Sequence, residues 1–197
     1  MSSETVENCI FPLLIVIGLA ISAAAAQTVV ILTVVSFAVY VTVVVGKYYL
    51  EQKEVYNDGS QKTVLKVEVD QSKKTANING TNYTLKTVQE INKEYKKYYF
   101  AAIFDNGLVY ISTTAITEAR AIEIMRMNTD VDLIGVFTAD IIDALNVATK
   151  AGSSSSVVGP ENHADNPASR KGQYYTHFHP NRQSHTHAFF NEVKVKG

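Results

Sequence analysis

The sequence lacks charge over a long stretch and is almost without cysteine. No charged residue occurs from Ile10 to Gly46, and no lysine or arginine precedes Lys47. Cys9 is the single cysteine, which excludes an intramolecular disulfide and a cysteine-rich zinc site. Glycine-rich phosphate loops, Cys-x-x-Cys pairs and Gly-x-Ser-x-Gly elbows are also absent. Any metal site must therefore rest on histidine and carboxylate side chains.

The uncharged stretch predicts a membrane segment. A bilayer core takes about 20 apolar residues as a helix, so the stretch is too long for one span and barely enough for two. A helical hairpin with spans at 10–26 and 28–45 is the first expectation, and a single long or kinked helix is the second. Ala24–Ala26 fits a signal-peptide cleavage pattern, but the positive n-region is missing, with Glu4 and Glu7 in its place. We expect a membrane-associated or secreted protein, with homo-oligomers formed through the N-terminal helices.

The charge balance limits the kind of partner. All 18 lysines and arginines follow residue 46, and the formal net charge of the chain is −1. This balance excludes the basic face of a non-specific nucleic-acid binder. A local patch would still suffice for RNA or another phosphodiester substrate.

Alternation and turn signals predict a small α+β domain after the membrane segment. We divide the chain into a hydrophobic leader (1–50), a β-meander with a short helix (51–97) and a histidine-rich α+β domain (98–197). Asn79-Gly80 and Asp105-Asn106-Gly107 are hairpin turn signals. Thr87 and Glu90 form a capping box that predicts a helix to about residue 97. Further predicted elements are strands at 63–69, 98–104, 108–112 and 131–137, helices at about 116–127 and 140–150, and two strands in the tail.

The tail carries the most informative pattern. Residues 174–190 read YYTHFHPNRQSHTHAFF and contain two His-x-His pairs, His177/His179 and His185/His187. In a strand, residues i and i+2 face the same way, and the five residues between the pairs suit a hairpin loop. Antiparallel pairing would then place four imidazoles on one surface.

Three interpretations of these imidazoles stay open. Two or three of them could hold zinc with water in the open position. Alternatively, one neutral and one protonated histidine could cleave a phosphodiester without metal, because imidazoles titrate near neutrality. In the third interpretation the histidines are structural, because a strand pair flanked by tyrosine and phenylalanine can simply complete the fold. A zinc ion is thus the one cofactor that the pattern suggests.

Other residues near the pairs offer supporting chemistry. His163 lies in a Gly/Pro/Asn loop, where Glu161 and Asp165 flank it and could orient an imidazole. Arg182 and Lys171 are candidate phosphate contacts. Tyr175 could stack on a base; paired tyrosines also commonly pack a strand.

The chain from about residue 98 resembles the C-terminal toxin domains of polymorphic toxins of Gram-positive bacteria. The resemblance rests on YYFAAIFDNGLVYIS, GPENH (Gly159–His163), YYTHFHP and HTHAFF. It implies a bacterial toxin tip with an immunity protein as partner. It also implies that His163, His177, His179, His185 and His187 are the active residues.

Three functional hypotheses follow from the sequence. The first is a membrane-associated toxin whose C-terminal domain cleaves RNA or another phosphodiester with paired histidines. The second is a membrane-anchored metal-binding hydrolase that uses the same residues. The third is a membrane-active, self-assembling or structural protein in which the hydrophobic segment is the effector.

Overall fold

The computed structural model describes residues 5–12, 33–44, 46–127, 132–152, 155–166 and 171–197. Within these ranges the chain forms twelve strands, two α-helices and two short 3-10 helices. The strands are β1 (Thr5–Pro12), β2 (Val34–Val44), β3 (Lys47–Tyr56), β4 (Gln61–Asp70), β5 (Thr75–Ile78), β6 (Thr81–Thr87), β7 (Tyr99–Ile103), β8 (Val109–Ser112), β9 (Ile134–Phe137), β10 (Val158–Glu161), β11 (Gly172–His179) and β12 (His187–Lys196). The helices are α1 (Glu118–Met125) and α2 (Ile141–Ala151), with 3-10 helices at Val88–Glu90 and His163–Asp165.

The described strands join into one sheet. Their order is β1-β2-β3-β4-β5-β6-β8-β7-β9-β12-β11-β10. Neighbours are antiparallel except β9 and β12, which run parallel with His187 opposite Gly135. This parallel pair brings the last strand of the chain against a strand that lies about 50 residues earlier in the sequence.

Where the structure describes the second half of the apolar stretch, it forms a strand and not a helix. Residues Val34–Val44 form β2, which pairs with β3 through a hairpin at Gly46, where φ is +72°. The segment VVSFAVYVTVV is rich in β-branched valine and threonine, which suit a pleated, half-buried surface. Hydropathy alone does not distinguish such a run from an apolar helix.

The predicted membrane helix or helical hairpin before a small α+β domain is therefore wrong. Among the described residues, no helix is long and apolar enough to cross a membrane. Of the expected first span at 10–26, residues 10–12 belong to β1 and the remainder lies outside the described residues. The membrane location, which was predicted from such helices, is overturned by the same finding.

Strand β3 was missed because its sequence, KYYLEQKEVY, is polar. Its buried residues Tyr48, Leu50 and Gln52 alternate with partly exposed ones, as a strand with one covered face requires. The predicted helix at 87–97 is also shorter than expected. The capping box forms, with Thr87 N donating to Glu90 Oε2 at 2.9 Å, but the backbone is extended again at Ile91, which is buried against the sheet.

The turn and cap signals in the rest of the chain are confirmed. Asn79 and Gly80 both adopt positive φ between β5 and β6, as a tight hairpin demands. The hairpin β7–β8 forms around Gly107. Asp140 caps α2 by accepting hydrogen bonds from the backbone of Ile142 and Asp143.

The two faces of the sheet bury different clusters. The larger core packs against α1 and α2. It includes Val136 of β9, Phe178 of β11, and Ala188 and Phe190 of β12. The smaller cluster lies on the opposite face and includes Phe137, Tyr175 and Phe189. Because side chains alternate along a strand, residues 175, 177 and 179 of β11 and residues 187 and 189 of β12 share the face opposite the helices.

Candidate metal centre

Three histidines meet on the face of β11 and β12 that lies opposite the helices. His177 and His179 come from β11, and His187 is the first residue of β12. The ring of His187 lies 4.6 Å from each of the other two rings, measured between centroids. His187 also stacks on Phe189 at 5.0 Å, so the small apolar cluster forms the floor of the site.

The 3-10 helix after β10 adds a fourth histidine. His163 begins this helix, and its ring lies 4.9 Å from that of His177. One ligand nitrogen from each of His163, His177, His179 and His187 lies within 4.8 Å of the other three. We call these four residues the histidine cluster.

Both histidines of β11 are anchored through Nδ1. Nδ1 of His177 bonds the carbonyl oxygen of Tyr175 at 2.9 Å, and Nδ1 of His179 bonds that of Thr186 at 3.0 Å. Because a carbonyl only accepts, Nδ1 of each of these two rings carries the proton. Nε2 of His177 keeps its lone pair, whereas Nε2 of His179 faces the Glu161 carboxylate at 2.8 Å. Metal-binding histidines in proteins show this arrangement, in which an oxygen fixes the tautomer and orientation of the ring.

His187 is arranged in the opposite sense. Its Nε2 lies 3.6 Å from Oδ1 of Asp132, while its Nδ1 is buried without a hydrogen-bond partner in the described part of the chain. His177 Nε2 is buried and unpartnered in the same way. Unpaired buried polar atoms cost about 1–3 kcal/mol each, so a metal ion that binds both nitrogens would remove this cost.

Burial keeps the strand imidazoles neutral. The side chains of His177 and His187 are 1% and 2% exposed. Removal from water lowers the pKa of His177 to about 3, with the neighbouring His179 and His163 adding to the effect. Burial also lowers the pKa of His179, and it holds that of His187 well below its ordinary value. Neutral imidazole is the form that binds metal ions.

Glu161 is the carboxylate closest to the cluster. It lies opposite His177 in the β10–β11 pair. Its Oε1 is 2.8 Å from Nε2 of His179 and 3.8 Å from Nε2 of His177. The side chain is 44% exposed, so it reaches both the cluster and solvent. The sequence predicts Glu161 only as a residue that flanks His163 and could orient an imidazole.

The second His-x-His pair divides between the cluster and its rim. His185 is exposed in the loop before β12, and its Nδ1 bonds Asp132 Oδ1 at 3.1 Å. The predicted metal set of His177, His179, His185 and His187 therefore differs from the observed cluster, which has His163 in place of His185. Asp132 gave no local signal in the sequence, because the β9–β12 pairing brings it to His185 across 53 residues.

The other predicted site residues, Arg182, Lys171 and Tyr175, lie at different distances from the cluster. Arg182 is exposed and lines a cavity of about 480 Å³ beside the cluster, together with Glu161, His163 and His179. Lys171 is exposed just before β11, at the opposite end of this strand from His179. Tyr175 is a core residue that packs edge-on against Phe137 at 5.6 Å, so it is not available for stacking on a base. Its hydroxyl instead accepts a hydrogen bond from Gln89.

Two glycines allow the backbone to approach the cluster. A Cβ at Gly135 would lie 2.1 Å from the carbonyl oxygen of His187. Gly159 has φ +117°, and a Cβ there would lie 2.7 Å from the carbonyl oxygen of His177. Both positions therefore require glycine, the first for space and the second also for its backbone conformation.

The chain matches no protein-family model, no curated protein and no solved structure. The resemblance to toxin domains, the immunity protein and the RNA substrate accordingly stay predictions. The histidine cluster is the feature on which a function can be argued, and its side chains form a group that could hold a metal ion.

Proposed function

We propose that the protein is a zinc-dependent hydrolase whose ion is held by the histidine cluster. The observation that carries the proposal is that one nitrogen of each imidazole in the cluster lies within 4.8 Å of the other three, while His177 Nε2 and His187 Nδ1 are buried without a hydrogen-bond partner among the described residues. Three imidazoles with an open fourth position are a common ligand set of catalytic zinc. Ligand atoms around zinc lie roughly 3.3 Å apart for bonds of roughly 2.0–2.1 Å, so the nitrogens of the cluster, which lie within 4.8 Å of one another, would move closer together when zinc binds.

The ligand chemistry favours zinc over harder ions. Mg²⁺ and Ca²⁺ prefer oxygen ligands, whereas zinc binds imidazole well. The cluster supplies four nitrogens and, in Glu161, one nearby carboxylate. His163 is exposed and follows a separate strand, so it serves either as a fourth ligand or as a group at the open position.

His177, His179 and His187 would hold the ion, which when bound would supply a nucleophile by lowering the pKa of water to about 7. Glu161 would accept the proton of the attacking water, since its carboxylate borders both the cluster and the cavity. His187 would be oriented by Asp132, and His177 and His179 by the backbone carbonyls that bind them. Phe189 would exclude water from the floor of the site.

A metal-free reaction has weaker support. It requires one imidazole that carries a proton near neutral pH and donates it to the leaving group. Burial works against a protonated form of the three strand histidines, as their lowered pKa values indicate. Of the five histidines, only His163 and His185 are exposed.

The test is zinc binding by the full-length protein and its variants. We expect about one zinc per chain, and an affinity loss in His177→Ala and His187→Ala greater than the 10–100-fold typical of second-sphere changes. His185→Ala serves as the control, because it removes an exposed imidazole outside the cluster. Circular dichroism of each variant separates loss of a ligand from unfolding. His163→Ala is a further cluster variant, and because His163 is exposed we expect it to have little effect on the core.

Hydrolysis is tested with the zinc-loaded protein and p-nitrophenyl acetate. Glu161→Gln should retain the zinc and lose most of the ester hydrolysis, because the amide cannot accept the proton. Absence of zinc from the wild type would refute the metal centre. Full activity in Glu161→Gln would refute the role of this carboxylate.

A further inference from the structure

A turn between β11 and β12 presents Arg182 to the cavity beside the histidine cluster. In this turn Ser184 N donates to the carbonyl oxygen of Asn181 at 3.2 Å, and Gln183 N donates to the Asn181 side chain at 2.9 Å. Two backbone-linked hydrogen bonds therefore fix the turn on either side of Arg182.

The same turn is tied to the protein interior. The hydroxyl of Thr186 donates to the carbonyl oxygen of Met125 at 2.8 Å and contacts the hydroxyl of Ser184 at 2.8 Å. Both residues are buried. The loop that carries Arg182 is thus anchored to the end of α1, and a fixed backbone at this position lowers the entropy cost of placing the Arg182 side chain on an anion.

Charges around the cavity leave Arg182 available for a ligand. The two carboxylates that line it already face imidazoles, Asp132 towards His185 and Glu161 towards His179. Among the described residues that line the cavity, Arg182 is the one lysine or arginine, and no carboxylate lies within ion-pair distance of it in the part of the chain that the structure covers.

From this arrangement we infer that the cavity binds the phosphate of a phosphodiester substrate. The inference rests on the proposed zinc centre and names the substrate class of that site. A phosphodiester has two non-bridging oxygens that share one negative charge, so one oxygen can face the cluster while the other accepts hydrogen bonds from Arg182. A neutral carboxylic ester has one carbonyl oxygen and no charge for a guanidinium to bind.

The size of the cavity suits such a substrate. Its volume of about 480 Å³ falls within the 300–1,000 Å³ usual for small-molecule sites. A phosphate with organic groups on both ester oxygens fills a cavity of this class, whereas inorganic phosphate alone leaves much of it to water. The rings of His163 and His185 line the walls on which those groups would rest.

The reaction balances with water as the second reactant. The attacking water loses a proton to Glu161, and its oxygen forms a bond to phosphorus. The bond between phosphorus and the leaving oxygen breaks, and that oxygen takes the proton from Glu161. The products are a phosphomonoester and an alcohol, with no oxidant or reductant involved.

The test compares two substrates with the zinc-loaded full-length protein, bis(p-nitrophenyl) phosphate and p-nitrophenyl acetate. We expect Arg182→Ala to lower kcat/KM for the diester by about tenfold or more, which corresponds to one charge-assisted hydrogen bond. Hydrolysis of the acetate should change less than twofold. Arg182→Lys should restore part of the diester activity, because it retains the charge but not the planar fork.

Lys171→Ala is the matched control, since Lys171 is an exposed cation at the far end of β11. It should leave both activities unchanged. Equal loss of both activities in Arg182→Ala, or cleavage of the acetate without the diester by the wild type, would overturn the inference while leaving the zinc hydrolase intact. Failure of the proposed function itself would appear separately, as a wild-type protein that binds no zinc.

Discussion

At the residue scale, the site depends on which nitrogen of each imidazole is held. His177 and His179 are held at Nδ1 by backbone carbonyls, whereas His187 faces Asp132 through Nε2. One nitrogen of each of these rings and of His163 lies within 4.8 Å of the others. A histidine that merely filled the core would be expected to satisfy both nitrogens, so the unpaired atoms distinguish a ligand set from packing.

The burial of His177 predicts a pH dependence of stability in the metal-free protein. Its pKa in the folded state is about 3, below the ordinary value of 6.5. Between these values the unfolded chain binds the proton and the folded chain does not, so the free energy of unfolding falls as the pH is lowered. The contribution of this imidazole is at most about 1.4 kcal/mol per pH unit.

Urea unfolding at pH 6.5, 5.5 and 4.5 measures this dependence. The slope for His177→Gln should be shallower than that of the wild type, because glutamine takes up no proton. Carboxylates titrate in both proteins, so their effect cancels in the comparison. Identical slopes would show that His177 is not buried as a neutral imidazole.

At the scale of elements, the parallel pair β9–β12 positions His187. Gly135 lies opposite His187, and the two backbones are in contact there. We predict that Gly135→Ala costs about 1–3 kcal/mol of stability, as overpacking does, and weakens zinc binding because β12 must shift. Zinc titration and urea unfolding of the same samples measure both effects.

Gly107→Ala is the control that separates a loss of stability from a loss of zinc affinity. It places a side chain at φ +78° in the β7–β8 hairpin, with open space around the new Cβ. The strain should cost about 1 kcal/mol without a change in zinc affinity. A Gly135→Ala protein that binds zinc as tightly as the wild type would show that the position of His187 does not depend on this contact.

The sequence indicated part of this site and missed the rest for identifiable reasons. The i, i+2 spacing correctly placed His177 and His179 on one face, because strand geometry is local. His163 was among the predicted active residues but not in the predicted metal set, and Asp132 was not predicted. The positions of both in the site depend on strand pairings between distant segments, which a single sequence does not reveal. His185 was grouped with His187 by spacing, but β12 begins only at His187, so the alternation does not extend to His185.

At the scale of the whole molecule, one sheet joins the N-terminal strands to the site strands. Val39 and Val41 of β2 belong to the same buried cluster as Phe178 and Ala188 of β11 and β12. The prediction of a membrane helix failed because long apolar runs satisfy both a helix and a buried strand. The valine-rich composition of β2 was the signal for a strand in the sequence, and the alternating burial of β3 is the matching observation in the structure.

This arrangement predicts different effects of charge on two valines of β2. Val41 is 9% exposed and Val43 is 42% exposed. Val41→Asp should destabilise the full-length protein by about 3 kcal/mol or more, because it buries an unpaired carboxylate. Val43→Asp should change the stability by about 0.5 kcal/mol. Urea unfolding of both variants provides the comparison, and equal effects would contradict the burial of Val41 in the core.

The central claim is that the histidine cluster holds zinc, and X-ray absorption at the zinc edge tests it most directly. We expect one zinc per chain with at least three nitrogen ligands at roughly 2.0–2.1 Å and no sulfur ligand. The spectrum should be lost in His177→Ala but kept in His185→Ala. A protein without stoichiometric zinc, or zinc bound only by oxygen, would contradict it.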